Sequence, residues 1–300
     1  MEDSPVKIVH NHYVITNYEE AWSTLALTTA EIHFNKLVEL LNDLFGAICN
    51  TGSFDGRTVY DYKNIISRLM WNFVYYAYDK DEDDRLGNAV QGLLQWCYEP
   101  AVSSYIVENM SFLAMARHEM VMEFLSNDYS KKDGIIRQIF DHEDLNDLYC
   151  CIVNVFDDLV LYSDTFPEAC RILFDLFFLD KKYRYSTSPE ESILDALCLW
   201  RCEGTVTIKQ KEKVITSFLS KYPEKTIVLF AKLIRKDSYY KGVRIGERRI
   251  PGERITVQDL IKTKERLMRL LFDKSIEIKR ASIILSLLEN YRDISPELLA

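Results

Sequence analysis

Six cations crowd one glycine-bearing stretch of this chain. Residues 236–257 hold Lys236, Lys241, Arg244, Arg248, Arg249 and Arg254, interleaved with Gly242, Gly246, Pro251 and Gly252. A guanidinium offers a planar fork of donors that meets a phosphate or carboxylate with two bonds at once. Arginines on such a loop could therefore contact phosphates, nucleic acid or an acidic protein. Lys241, Arg244, Arg248, Arg249 and Arg254 are the candidate binding residues. The competing role is a solvated loop that pairs with acidic surface elsewhere in the chain. The glycines do not match a dinucleotide fingerprint, and no parallel strand leads into them.

Other reactive residues fall short of a site. His118-Glu119 begins like a zincin helix, but the second histidine that motif needs is replaced by Met122. Cys198 and Cys202 lie one turn apart, with no second pair or nearby histidine to complete four ligands. Cys150 and Cys151 are adjacent, so a helix points them in different directions. His10 and His12 could share a strand face, yet two histidines make no closed site. Asp157, Asp158 and Asp164 flank an apolar helix, and acids do proton-transfer work only where burial or proximity moves their pKa. Solvated or capping roles are expected for them. The G-x-x-x-x-G-K-[ST] and G-x-S-x-G patterns are both absent. Nothing supplies a nucleophile with a base, so the residues predict a non-enzymatic segment with no metal and no cofactor.

The elements that must carry these residues are helices. Pro-Glu occurs at Pro167-Glu168, Pro189-Glu190, Pro223-Glu224 and Pro296-Glu297. Proline is tolerated in a first helical turn because its missing N–H had no partner there, and the glutamate faces the positive end of the helix dipole. The first three pairs open apolar stripes. The fourth meets the end of the sequence, which predicts that the 300 residues are cut from something longer. Thr28 and Glu31 have capping-box form, and Gly46 reads as the stop of the helix they start. An aromatic-rich helix is expected over about 59–78, another over 86–98, and one from Pro100 to about Ser126. A short helix follows Lys131-Lys132. Helices are then expected at 143–162, 166–179, 189–201, 207–222, 223–235, 257–273 and 275–291. The run Ala169–Leu179 is too short to cross a membrane and reads as a helix buried on most sides. Residues 6–16 partly alternate and suit a short strand or extended lead-in. Val243, Ile245, Ile250 and Ile255 suit a short β-hairpin near 243–256.

The fold class is therefore all-α: an array of antiparallel helix pairs, α-solenoid-like with degenerate repeats. The Pro-Glu spacings of 22, 34 and 73 residues set no strict period. The net charge of −9 hides an asymmetry. Residues 205–300 hold 21 Lys+Arg and 12 Asp+Glu, a net of +9, so the rest carries −18. On this basis 1–204 reads as an acidic N-terminal helical array and 205–300 as a basic C-terminal array continuous with it. The two ends suit different partners, or each other. Seven cysteines, odd in number and set among apolar neighbours, fit a reducing cytoplasm, and the acidic Met1-Glu2-Asp3 start is no secretory signal.

Several stretches in order resemble the helical region downstream of the nucleotide-binding module in bacterial STAND ATPases (signal-transducing ATPases with numerous domains), many of them antiviral defence proteins. They are Tyr13-Val14-Ile15-Thr16-Asn17-Tyr18-Glu19-Glu20-Ala21-Trp22, Ser188-Pro189-Glu190-Glu191-Ser192-Ile193-Leu194 and Leu199-Trp200. Thr205 through Lys213, Lys221-Tyr222-Pro223-Glu224-Lys225-Thr226 and Leu229-Phe230-Ala231-Lys232-Leu233 complete the series. The chain departs from the family pattern where Arg201-Cys202 replaces a proline, and where Lys225-Thr226 replaces Gly-Trp or Ala-Trp. The resemblance implies a non-catalytic target-sensing or assembly scaffold. It places an NTPase and an effector, such as a nuclease or a sirtuin-like NAD-consuming domain, outside this segment. Its partner would be a protein, such as a phage protein or another domain of the parent chain. Residue types alone keep open a nucleic-acid-binding module built on the basic part. The matching motifs pack a core and carry no catalytic residue.

Overall fold

The computed structural model describes residues 6–9, 12–15, 30–51, 63, 66, 67, 69–71, 74, 84–141, 146–179, 187–199, 204–235 and 256–290. Most of them are helical. Two short strands come first, β1 (Val6–Val9) and β2 (His12–Ile15), paired antiparallel with Val6 opposite Ile15 and Val9 opposite His12. In place of the one short strand or extended lead-in expected over 6–16, two paired strands are observed. The chain divides into two compact units, Met1–Val155 and Phe156–Ala300. The charge step at residue 204 lies inside the second.

In the first unit, α1 spans Ala30–Thr51. It runs straight through Gly46, so the expected stop is overridden. Ile48, beyond that glycine, is fully buried, and burying it favours continuing the helix over ending it there. Lys63, Ile66, Ser67, Leu69, Met70, Trp71 and Val74 are helical, within the expected aromatic-rich segment. Helix α2 (Asp84–Gln95) passes into a 3-10 turn, Trp96–Tyr98. Trp96 Nε1 donates to Asn42 Oδ1 at 2.8 Å and its ring meets Phe45 at 5.9 Å, tying the turn to α1.

The helix expected from Pro100 to Ser126 is instead three: α3 (Ser103–Glu108), α4 (Met110–Ala116) and α5 (His118–Ser130). Asn109 breaks the first junction. Its side-chain amide donates to Tyr105 O at 2.7 Å, a local bond that competes with helical continuation. Arg117, at φ −147° and ψ 80°, breaks the second. Short breaks let α2 pack on both α4 and α5.

Helix α6 (Ile135–Asp141) starts on a buried carboxylate. Asp128 accepts from Ile135 N and Ile136 N, each at 3.0 Å, so two orphan donors of the first turn are met. Gly134 is required beside it, because a Cβ there would lie 2.1 Å from Asp128 O. Helix α7 (Asn146–Leu159) holds the boundary between the units.

The second unit begins inside α7. Helix α8 spans Phe166–Leu179, α9 Pro189–Ala196, α10 Ile208–Lys221 and α11 Pro223–Arg235. Three of the Pro-Glu pairs stand at or next to a helix start, as expected from proline's missing donor. Ser188 caps α9 by accepting from Glu191 N. Thr207 and Gln210 form a capping box on α10. Helix α9 stops at Ala196, short of the expected Arg201. There Lys211 Nζ reaches over from α10 and donates to Cys198 O at 2.8 Å. Helix α12 (Val257–Ile278) and α13 (Ala281–Asn290) follow. Their break falls at Lys279, with φ 55°, rather than near residue 274. Leu271 and Ser275 are both fully buried, so α12 is held helical across the expected gap.

Helix α8 packs on α9 and α10, α11 packs on α9, α10, α12 and α13, and α12 packs on α13. A tight crossing anchors the unit. Thr205 N donates to Leu161 O at 2.8 Å, Ser163 N donates to Thr205 Oγ1 at 2.8 Å, and Gln210 Nε2 donates to Ser163 O at 3.2 Å. Gly204, at φ 80°, makes room, since a Cβ would sit 2.0 Å from Leu161 O.

Candidate interaction surface

The best-defined candidate surface lies where the end of α8 meets the α10–α11 turn. Phe174 is buried and stacks on Phe218, with centroids 4.3 Å apart and planes at 18°. Packing continues outward from that stack. Phe178 stands one turn on, 5.0 Å from Phe174 at a steep 73°, and Phe177 meets Phe178 at 4.7 Å. Tyr222 leans on Phe174 from the other side, at 5.8 Å. Yet Phe178, Leu179 and Tyr222 keep 37%, 44% and 43% of their surface in solvent. Ring faces joined through one buried stack, with their outer edges wet, are unlike the scattered single apolar residues of an ordinary surface.

Local sequence explains why Tyr222 protrudes. It is the only link between α10 and α11, and it precedes Pro223. A residue before proline is pushed off the helical conformation, and Tyr222 has φ −135° and ψ 59°. Its own N–H still donates to Phe218 O at 2.7 Å, and Thr226 Oγ1 donates back to Tyr222 O at 2.7 Å. The turn is rigid, and it presents the tyrosine.

Charges frame the rings. Lys225 holds its ammonium 4.0 Å from the Phe178 centroid. On α8, Arg171 clamps Glu168 with bonds of 2.8 and 2.7 Å and reaches Asp175 at 3.1 Å, so that cation is already matched. Burial pushes the Asp175 carboxyl above its ordinary range, while Arg171, Lys221 and Lys225 pull it down less strongly. Lys221 and Lys225 are exposed, and neither makes an ion pair among the described residues.

The residues singled out in sequence fare differently. Lys241, Arg244, Arg248, Arg249 and Arg254 lie outside the described residues, as do Lys236, His10, Cys202, Pro296 and residues 243–255 of the expected hairpin. His118 Nδ1 lies 3.4 Å from Glu119 Oε2, its own neighbour in sequence, and no group of three or more metal-binding side chains occurs among the described residues. Cys97, Cys170 and Cys198 are buried free thiols, whereas Cys150 and Cys151 are half-buried. Burial drives the Cys97 and Cys170 thiols far above their ordinary range, which keeps them protonated and unreactive. Asp157 and Asp158 are half-buried on α7, and Asp164 is exposed. Among the described residues no helix is long and apolar enough to cross a membrane.

Sequence reasoning missed Phe178, Tyr222 and the two lysines as a group. Phe178 was absorbed into an apolar run, and Lys225 stood out only as a departure from a family pattern. A legible signal existed: a residue before proline leaves the helical conformation, so Tyr222-Pro223 marks the link between the two helices. Comparison with protein-family models, curated proteins and solved structures returns no match.

Proposed function

We propose that residues 1–300 act as a non-catalytic helical scaffold or sensor segment of a larger STAND-type NTPase in bacterial antiviral defence. The segment works in the cytoplasm and binds a protein target or mediates assembly. One observation carries the protein-binding part: a partly exposed aromatic surface joined through one buried stack, with Lys221 and Lys225 beside it. The packing of α8 on α9 and α10, and of α11 on its neighbours on both sides, supports an α-solenoid-like stack of antiparallel pairs with degenerate repeats. The ordered Pro-Glu and Leu-Trp stretches support the STAND assignment, which puts the NTPase and effector elsewhere in the parent. The test is deletion of residues 1–300 from the full-length protein in a bacterial host, read by phage plaque counts and by size-exclusion of the product. Loss of protection or of assembly is expected. Protection and assembly both unchanged would overturn the reading.

A second reading, nucleic-acid binding by the basic part, is favoured by exposed cations without an ion pair among the described residues. They are Lys209 and Lys213 on α10, and Lys262 and Arg269 on α12. Under that reading the chain shifts a labelled duplex in a gel, the shift weakens steeply with salt, and Arg248→Glu with Arg249→Glu reduces it. A gel without any shift at low salt dismisses it.

A further inference from the structure

We propose that the Phe178–Tyr222 surface, with Lys221 and Lys225 beside it, docks an acidic protein segment that carries an apolar side chain between its carboxylates. This rests on the protein-binding reading above and names the surface and the chemistry of the partner.

Charge selects an acidic occupant. Of the three described cations around the rings, Arg171 is consumed by Glu168 and Asp175. Lys221 and Lys225 remain, both exposed and both without an ion-paired carboxylate among the described residues. Lys225 holds its ammonium over the Phe178 ring, and Lys221 stands next to Tyr222 in the chain. A carboxylate arriving there meets ammonium groups that hold no ion pair among the described residues.

Ring geometry selects a peptide over a nucleobase. A base stacks on an open aromatic face. One face of Phe178 already lies under the Lys225 ammonium, and Phe174 and Phe177 stand against the ring at 73° and 65°. Phe178, Leu179 and Tyr222 keep 37%, 44% and 43% of their surface open beside these contacts. Those surfaces suit an aliphatic or aromatic side chain, which needs apolar contact rather than parallel planes. Pre-organisation helps as well. Tyr222 is fixed by Pro223 and by backbone bonds on both sides, so little ordering is left for binding.

The experiment is fluorescence anisotropy on the whole 300-residue chain with three labelled probes. They are an acidic dodecapeptide with a central Trp-Leu, its lysine-substituted analogue, and an oligothymidylate of similar length. The acidic peptide is expected to bind, with affinity falling as salt rises. Phe178→Ala, and Lys221→Glu with Lys225→Glu, are each expected to weaken it about tenfold or more. The lysine analogue and the oligothymidylate should bind at least about tenfold more weakly than the acidic peptide. Lys225→Gln serves as the folding control, since it keeps most of the chain's packing; it should retain the wild-type circular dichroism and still lose affinity. An oligothymidylate that binds as tightly as the peptide overturns the proposal. So does peptide binding that ignores all of these variants. If deletion of 1–300 abolishes protection while the surface variants bind unchanged, the docking inference falls and the scaffold reading stands.

Discussion

Gly204 and Gly134 show how single residues set the geometry. At φ 80°, with Leu161 O where its Cβ would go, Gly204 lets the 204–206 segment cross beneath the α7–α8 turn. Gly204→Ala adds left-handed strain and a backbone clash, so a loss of at least about 2 kcal/mol is expected in urea unfolding. Asp128 plays the matching part beneath α6. Asp128→Ala leaves Ile135 N and Ile136 N without their acceptor, and a loss of about 2–3 kcal/mol is expected in the same assay. Neither role is readable from the sequence, because each joins residues across a break between helices, where no single-helix pattern applies. The cysteines were readable only in part: apolar neighbours predicted buried thiols, yet Cys49, Cys150 and Cys151 are half-buried, while Cys198 and, most deeply, Cys97 and Cys170 are buried. Their raised folded-state pKa fixes the sign of a pH effect. Both stay protonated in the folded chain, so their contribution is complete below the ordinary thiol pKa of about 8.5 and is lost as pH climbs above it. Iodoacetamide at pH 8 should leave both unmodified in the native chain and label them after unfolding; labelling at native-state speed equal to the unfolded rate would refute this.

At the scale of elements, starts were legible and stops were not. Pro167, Pro189 and Pro223 sit in the first turns of α8, α9 and α11, and Thr207 caps α10, because capping is local chemistry. Thr207→Ala is expected to cost about 1 kcal/mol, measured as a fall in the thermal midpoint. Helix ends depend on what the next turn buries. Gly46 looked like a stop, yet Ile48 beyond it is buried, and α1 continues. The α3–α4–α5 series looked like one helix, yet Asn109 and Arg117 leave the helical conformation while the apolar stripe continues across both breaks. Lys279 closes α12 with φ 55°, a conformation in which a side chain is strained. Lys279→Gly removes that strain at an exposed position and is expected to stabilise the chain by about 0.5–1 kcal/mol. An unchanged or lower midpoint would contradict the assigned cap.

For the molecule as a whole, composition foretold helices on helices, and the described residues are mostly that. Surface function was harder to foresee. The charge count drew the eye to 236–257, whose five candidate residues lie outside the described ones. The candidate surface emerges only when α8, α10 and α11 bring Phe178, Tyr222 and Lys225 together from positions 44 and 47 apart in sequence. Such a meeting is a property of packing, and no periodicity within one helix encodes it. The central claim is that this segment works by docking protein on a preformed surface. Its most direct test replaces Phe178 with a photo-crosslinking phenylalanine analogue in the full-length protein, irradiated in phage-infected and uninfected cells. The account predicts a cross-link to a protein through an acidic segment, lost when Lys221→Glu and Lys225→Glu are added. A cross-link to nucleic acid, or a protein cross-link indifferent to those charge reversals, would contradict it.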